Sequence, residues 1–308
     1  MGDNVKKLPG NVSHLQRLIG NHAADRRMPP ARLQRWLNAM IVTAVLDRVR
    51  DEDGEPIFLL KGGLAMELRL QLRARATNDY DAAFRARTEE VIDHLDEALA
   101  RPWNNFSLTR DVPETITNTK AVRVRLRLSY KGRTWGSVQL EMAPVEGGMG
   151  LELDRVKAMS LDSLQVPLPE TADCVSLRYQ VAQKLHACSE VFDEGRENDR
   201  FRDVMDILLV EDLLYDVGLA HVREACVDIF TVRYKHTWPP TVTVYDSWRI
   251  PFAELARENG FTPESIDEAV AALTALIAAI EHATSAPIKA RESRFGGLGW
   301  RDYVSFCI

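Results

Sequence analysis

Residues 61–84 read KGGLAMELRLQLRARATNDYDAAF, and the fold of the 308-residue chain is decided here. A short apolar run, residues 57–60, leads into Gly62 and Gly63. An amphipathic helix follows, and then a second strand that carries Asp79 and Asp81. Side chains alternate along a strand, so Asp79 and Asp81 share one face while Tyr80, Ala82 and Phe84 turn toward a core. Two like charges side by side are unfavourable unless a cation sits between them, and hard oxygen ligands suit Mg²⁺. Glycines ahead of a helix allow close backbone approach to a phosphate, and the helix N-terminus adds free N–H groups and a positive dipole end. The stretch predicts one half of a metal-dependent phosphate site. The other half must come from elsewhere in the chain.

One contribution is expected from TWGSVQLEM, residues 134–142, which alternates cleanly. Val138, Leu140 and Met142 face one side; Ser137, Gln139 and Glu141 face the other. Glu141 is thus a candidate third carboxylate beside Asp79 and Asp81, with a solvated strand residue as the competing reading. Divalent ions in such sites sit roughly 3.5–4 Å apart and stabilise both the attacking and the leaving oxygen. A second constellation lies downstream. In YQVAQKLHACSEVF, residues 179–192, Gln180 and Lys184 stand one turn apart on a stripe distinct from Val181, Leu185 and Cys188. ENDRFRDVMDILLVEDLL follows, with Asp203 and Asp206 on one helix face. A lysine is a suitable point charge for a triphosphate. Asp203 would orient that lysine or act as a base; a salt-bridged helix pair is the alternative. Arg123, Arg125 and Arg127 line one face of residues 121–130, and Arg69, Arg73 and Arg75 follow the glycine turn. They are expected to form a groove for a nucleotide or an RNA backbone, against the simpler reading of an exposed basic face.

The bulk properties limit the choices. The composition is 45% hydrophobic and 27% charged, that of an ordinary soluble globular protein. A net charge of −6 argues against nucleic-acid binding over the whole surface, though not against a local basic groove. No apolar run approaches a membrane span, and the N-terminus lacks the apolar core of a signal peptide, so a cytoplasmic protein with no membrane partner is expected. Cys174, Cys188, Cys226 and Cys307 lie far apart with no zinc spacing and read as reduced thiols. Residues 11–51 look helical, 56–168 read as short strands with few helices, and a break comes near 170. Beyond it, helices are expected over 176–192, 201–215, 218–230, 251–259 and 262–282, with a proline-rich loop over 236–248. The reading is an α+β fold: a mixed-sheet domain over 1–170 and an all-helical domain over 171–308.

A Gly-Gly turn, a helix, an Asp-x-Asp strand and a later carboxylate strand resemble the DNA polymerase β-like nucleotidyltransferase superfamily. AQKLHA, RFRDVMDIL and RYKHTWPP followed by SWRIPFAELARENG narrow this to a resemblance to the AbiEii/AbiGii nucleotidyltransferase toxins, which include the MenT toxins, over roughly residues 40 to 260. The resemblance implies a nucleotidyltransferase core with mixed sheet plus a helical C-terminal domain, and Mg²⁺-dependent transfer of a nucleotidyl group from an NTP. It implies metal-binding and catalytic roles for Asp79 and Asp81, a nucleotide-contacting role for Lys184 and a catalytic one for Asp203. Lys61, Gly62 and Gly63 would bind the nucleotide. The implied acceptor is RNA, specifically the tRNA 3′ end, and the implied partner a cognate antitoxin. Leu64 stands where many members carry Ser or Thr, which removes a hydroxyl contact to phosphate. Glu141 stands where many relatives carry Asp.

Overall fold

The computed structural model describes residues 8–71, 77, 79–117, 119–192 and 196–284. Among these residues ten helices and eight strands are formed. α1 (Val12–Asp25) starts where the Asn11 side chain accepts from the His14 N–H at 2.8 Å. α2 (Pro30–Leu46) carries its proline in the first turn, where no N–H is needed. It stops five residues short of the sequence expectation: the Asp51 carboxylate accepts from the Asp53 and Glu55 N–H groups and closes a turn instead.

β1 (Phe58–Lys61) runs directly into α3 (Gly62–Leu70), and β2 (Asp79–Phe84) returns antiparallel to β1. α4 (Val91–Leu99) precedes β3 (Phe106–Arg110), β4 (Glu114–Thr115), β5 (Val122–Tyr130) and β6 (Arg133–Pro144). β7 (Asp154–Lys157) and β8 (Thr171–Cys174) complete one mixed sheet in the order β3-β5-β6-β2-β1-β8-β7, with β4 paired to β5. β6 lies parallel to β2, and β8 parallel to β1. The sequence reading contained no strand at β4, β7 or β8, because each is too short to show an alternating pattern.

The rest is helical: α5 (Leu177–Ser189), α6 (Phe201–Leu209), α7 (Glu211–Val217), α8 (Leu219–Arg233), α9 (Asp246–Asn259) and α10 (Ile266–Glu281). Two expectations are corrected here. The single helix expected over 201–215 is two helices meeting at Val210. α9 begins at Asp246, within the expected loop, and contains Pro251. Packing overrides the proline signal, since the fully buried Trp248 holds that first turn by donating its indole N–H to the Asn198 carbonyl.

Both faces of the central strands β1 and β2 are covered, and this positions the site. Phe58, Leu60, Tyr80, Ala82, Phe84, Leu140 and Met142 join one apolar cluster with α1, α2 and α4. Leu59 and Ala83, on the opposite face, join a second cluster with α5, α6, α8, α9 and α10. The first cluster ends at Cys174 and the second takes up the chain from Val175.

Candidate active site

Strand register sets four charges in a row across the sheet. Lys61 pairs with Asp81, Asp81 with Glu141, and Glu141 with Arg123. Neighbouring strands lie about 4.7–4.9 Å apart, so residues opposed in this way share a face and touch. The order is positive, negative, negative, positive, with Asp79 two residues from Asp81 on the same face. Arg123 donates from Nε to Glu141 Oε1 at 2.7 Å and from Nη2 at 2.5 Å. One Glu141 oxygen is therefore committed to an arginine. Among the described residues no three carboxylate, histidine or cysteine side chains converge as a metal-binding group.

Asp81 sits in the middle of this row. Burial pushes its carboxyl above the usual range; Lys61 opposes that, while Glu141 and Asp79 add to it. Burial likewise lowers the Lys61 ammonium, with Asp81 and then Glu146 acting against it. The Asp81 carboxylate lies against Gly62, whose φ is +66° and where a Cβ would stand 2.0 Å from Asp81 Oδ2. Only glycine fits there. At Gly63 a Cβ would meet Thr77 Oγ1 at 2.9 Å. Leu64 is buried in the apolar core, so the hydroxyl near this turn is that of Thr77.

The helical wall is built differently. Lys184 Nζ donates to Asp203 Oδ1 at 2.5 Å and to Asp206 Oδ2 at 2.8 Å. Burial by itself would lower the Lys184 ammonium, but Asp203 and then Asp206 more than reverse this and hold it above the ordinary lysine value. Beside it, Arg233 forks onto Glu146 at 3.1 and 2.8 Å, and Gln183 donates to the same carboxylate at 2.6 Å. These partners keep the Glu146 carboxyl below its usual range although burial acts the other way.

One cavity of about 590 Å³ joins the two walls. Lys61, Gly62, Gly63, Asp79, Asp81, Glu141, Lys184 and Asp203, all singled out from sequence, line it together. So do Thr77, Gln180, Gln183, Arg200, Arg202 and Arg233, to which sequence reasoning gave no role. Gln180 was visible only as a neighbour of Lys184 one turn away, and Arg200 and Arg202 only as flanks of Asp203. Thr77, Gln183 and Arg233 stand inside the quoted stretches, but no spacing gave them a role, and they reach the cavity by tertiary packing. The basic groove is corrected in part. Arg69 is spent on Gln180, Asp154 and the Val175 carbonyl, at 2.8–2.9 Å, and does not line the cavity. Arg127 is clamped by Asp111 at 2.7 and 2.9 Å. Arg73 and Arg75 lie outside the described residues.

A strand–Gly-Gly–helix turn beside paired carboxylates, facing a lysine helix, is the layout that the resemblance implied. The family model described as nucleotidyl transferase AbiEii toxin, type IV toxin–antitoxin system, matches residues 44–292. The chain belongs to this family. It is accordingly a nucleotidyltransferase and the toxin component of a type IV toxin–antitoxin system. Among solved structures it is similar to MenT4, nucleotidyltransferase toxin Rv2826c from Mycobacterium tuberculosis H37Rv. That likeness has a TM-score of 0.51 at 17% identity and covers 88% of this chain and 90% of the other. At this identity it speaks to the fold, and it agrees with the mixed sheet plus helical part found here. The antibiotic-resistance factor ANT(2″)-Ia aligns with 65% of the chain at 13% identity, with a TM-score of 0.35, which carries no argument. No curated protein sequence matches. Among the described residues no helix is long and apolar enough to cross a membrane.

Proposed function

We propose that this toxin transfers a nucleotidyl group from an NTP, with Mg²⁺, to an RNA acceptor, the tRNA 3′ end, and so blocks translation. The observation that carries the reading is the row of Lys61, Asp81, Glu141 and Arg123 beside the Gly62–Gly63 turn, in one cavity with Lys184 and Asp203. Adjacent negative charges at Asp79 and Asp81, with the Asp81 carboxyl already pushed up by burial and like charge, fit a divalent cation. Mg²⁺ commonly takes one or two carboxylates and fills its remaining positions with water and substrate phosphate, so Asp79 and Asp81 suffice to hold it and Glu141 serves Arg123. When bound, the ion would neutralise charge developing on the transferred phosphoryl group and the leaving pyrophosphate.

The chain's own groups do the rest. Backbone N–H groups at the start of α3 bind phosphate oxygens. Lys184 spends two of its three donors on Asp203 and Asp206, and the third is left for the triphosphate. Asp203 positions Lys184 through Oδ1, and its second oxygen is available to take the acceptor proton. Held in line, the acceptor hydroxyl attacks the α-phosphorus as pyrophosphate leaves. RNA as acceptor is supported by the exposed face of β5, where Arg125 and Arg127 line a hollow of about 470 Å³ together with Thr109, Leu128, Ser129 and Ser137.

A division into a nucleotidyltransferase domain over 1–170 and a helical domain over 171–308 is part of the same proposal, supported by the change of apolar cluster at Val175. So are a cytoplasmic location, abortive infection as the setting and a cognate antitoxin as partner. Incubation with total tRNA, each labelled NTP and Mg²⁺ tests the reading. Label in RNA from the wild type and none from Asp79→Ala supports it; no label with any of the four nucleotides, and equal harmlessness of both proteins on expression, overturns it. Arg123 and Arg127 are both held by carboxylates, which favours a second reading with a small-molecule or protein hydroxyl as acceptor. Label in either of those fractions rather than RNA would establish it.

A further inference from the structure

One polar group on the cavity wall is left without a partner. Gln180 is 3% exposed and lines the cavity, yet its Nε2 has no hydrogen-bond acceptor among the described residues. Its amide is not free to turn. Gln180 Oε1 accepts from Arg69 Nη1 at 2.9 Å, and an arginine only donates, so the oxygen must point at Arg69 and the NH₂ away from it. Arg69 is itself pinned by Asp154 Oδ2 and the Val175 carbonyl, both at 2.8 Å. A buried donor in a fixed orientation is costly to leave unpaired, which points to a ligand atom as its acceptor.

The surroundings specify that atom. Behind the amide oxygen stands a cation, and this polarisation of the amide makes a negatively charged acceptor the favoured partner for its NH₂. Arg69 Nη1 also reaches back to the Ala65 carbonyl at 3.4 Å, which sets the Gln180 amide beside the first turns of α3, close to the Gly62–Gly63 N-terminus. Gln180 stands one helical turn before Lys184 on the same face of α5. The reacting α-phosphorus belongs at Asp79 and Asp81, so the chain of phosphates beyond it runs along α3 and α5. We propose that Gln180 Nε2 donates to an oxygen of the γ-phosphate of the bound NTP, which makes it a specificity residue for the triphosphate tail. The inference rests on the nucleotide reading above and assigns this chain a contact that the reading does not contain.

Calorimetric titration of the full chain with ATP, GTP, CTP and UTP, and with the matching diphosphates, all with Mg²⁺, tests it. Gln180→Leu removes the donor; Gln180→Glu keeps the oxygen facing Arg69 and replaces the NH₂ by a second oxygen. For whichever NTP the wild type binds, the Kd should rise about tenfold in Gln180→Leu and further in Gln180→Glu, with little change for the diphosphate. Wild-type Kd for the NTP in either folded variant overturns the proposal, and so does an equal loss for NTP and NDP. If both variants fold poorly, the Gln180 side-chain amide signals of the wild type decide: a shift with NTP and none with NMP supports the contact, and no shift with NTP overturns it. Absence of NTP binding by the wild type would overturn the nucleotide reading itself, and this inference with it.

Discussion

The two walls of the cavity hold their charges by opposite means. On the sheet, Lys61, Asp81, Glu141 and Arg123 stand in a row fixed by strand register, and adjacent carboxylates are left under-neutralised. On the helices, Lys184 is closed between Asp203 and Asp206, and its charge is answered inside the protein. Neighbouring carboxylates such as Asp79 and Asp81, one of them pushed up by burial, are suited to taking up a cation and substrate. A lysine already enclosed by two carboxylates is suited to holding shape. The difference teaches that lining one cavity does not give residues one role: damage to the sheet wall should cost turnover, and damage to the helical wall should cost stability first.

The sharpest test of that contrast is at Asp79 and Asp81. Each alanine variant should lose nucleotidyl transfer by about a thousandfold, read as label incorporation. Asp81→Ala should hold or raise the melting temperature. Its carboxyl is pushed up in the folded state, so folded protein binds the proton more tightly than unfolded, and ionised Asp81 destabilises the fold at neutral pH. A cooperative loss of stability in Asp81→Ala would break the comparison.

Next in size is Lys184→Met, which strands two buried carboxylates and should cost about 3–5 kcal/mol in urea unfolding. An unchanged unfolding midpoint with lost activity would put Lys184 on the same footing as Asp81. Gly62→Ala joins both effects: a Cβ at +66° against Asp81 Oδ2 should cost about 1–3 kcal/mol and displace the carboxylate, so activity falls with stability.

The helical wall should also be the more sensitive to acid. His186 is buried against Phe230 and His236, and its Nδ1 accepts from Arg233 at 3.4 Å. Burial, then Arg233 and His236, push its pKa down to about 3. Unfolded protein therefore takes up a proton that the folded protein refuses, and stability falls as pH drops from 6.5 toward 3. His186→Phe should flatten that part of the melting-temperature profile; a slope equal to wild type would remove His186 from the account. The smallest effect is expected at Glu141→Gln, whose partly exposed pair with Arg123 is screened by solvent and adds little to stability. Activity should stay within about tenfold, as for a rim ion pair rather than a ligand. A loss as deep as that of Asp79→Ala would make Glu141 a ligand after all.

Most of the sheet wall was legible in the sequence because strand geometry is local. Alternation assigned Asp79 and Asp81 to one face, Leu140 and Met142 to the core, and Arg123 to the polar face of its own strand, and the observed burial follows that pattern. The helical wall was legible only as faces. Helical spacing grouped Asp203 with Asp206, and Lys184 with Gln180, but no periodicity states which face of α6 meets which face of α5. The short strands β4, β7 and β8 carry too few residues for a pattern, and α9 was displaced because a buried Trp248 outweighs a proline penalty.

By itself the sequence determined a Gly-Gly turn between strand and helix, a pair of carboxylates on one strand face, and a lysine helix to meet them, because each depends on bonds and periods within a few residues. Tertiary structure decided the rest. It gave Glu141 to Arg123, closed Lys184 between two aspartates and withdrew Arg69 from the groove to fix Gln180. The physical reason is that a charge settles with whichever partner burial brings within hydrogen-bond reach, and burial is set by how both apolar clusters pack on the sheet, not by neighbours in the chain.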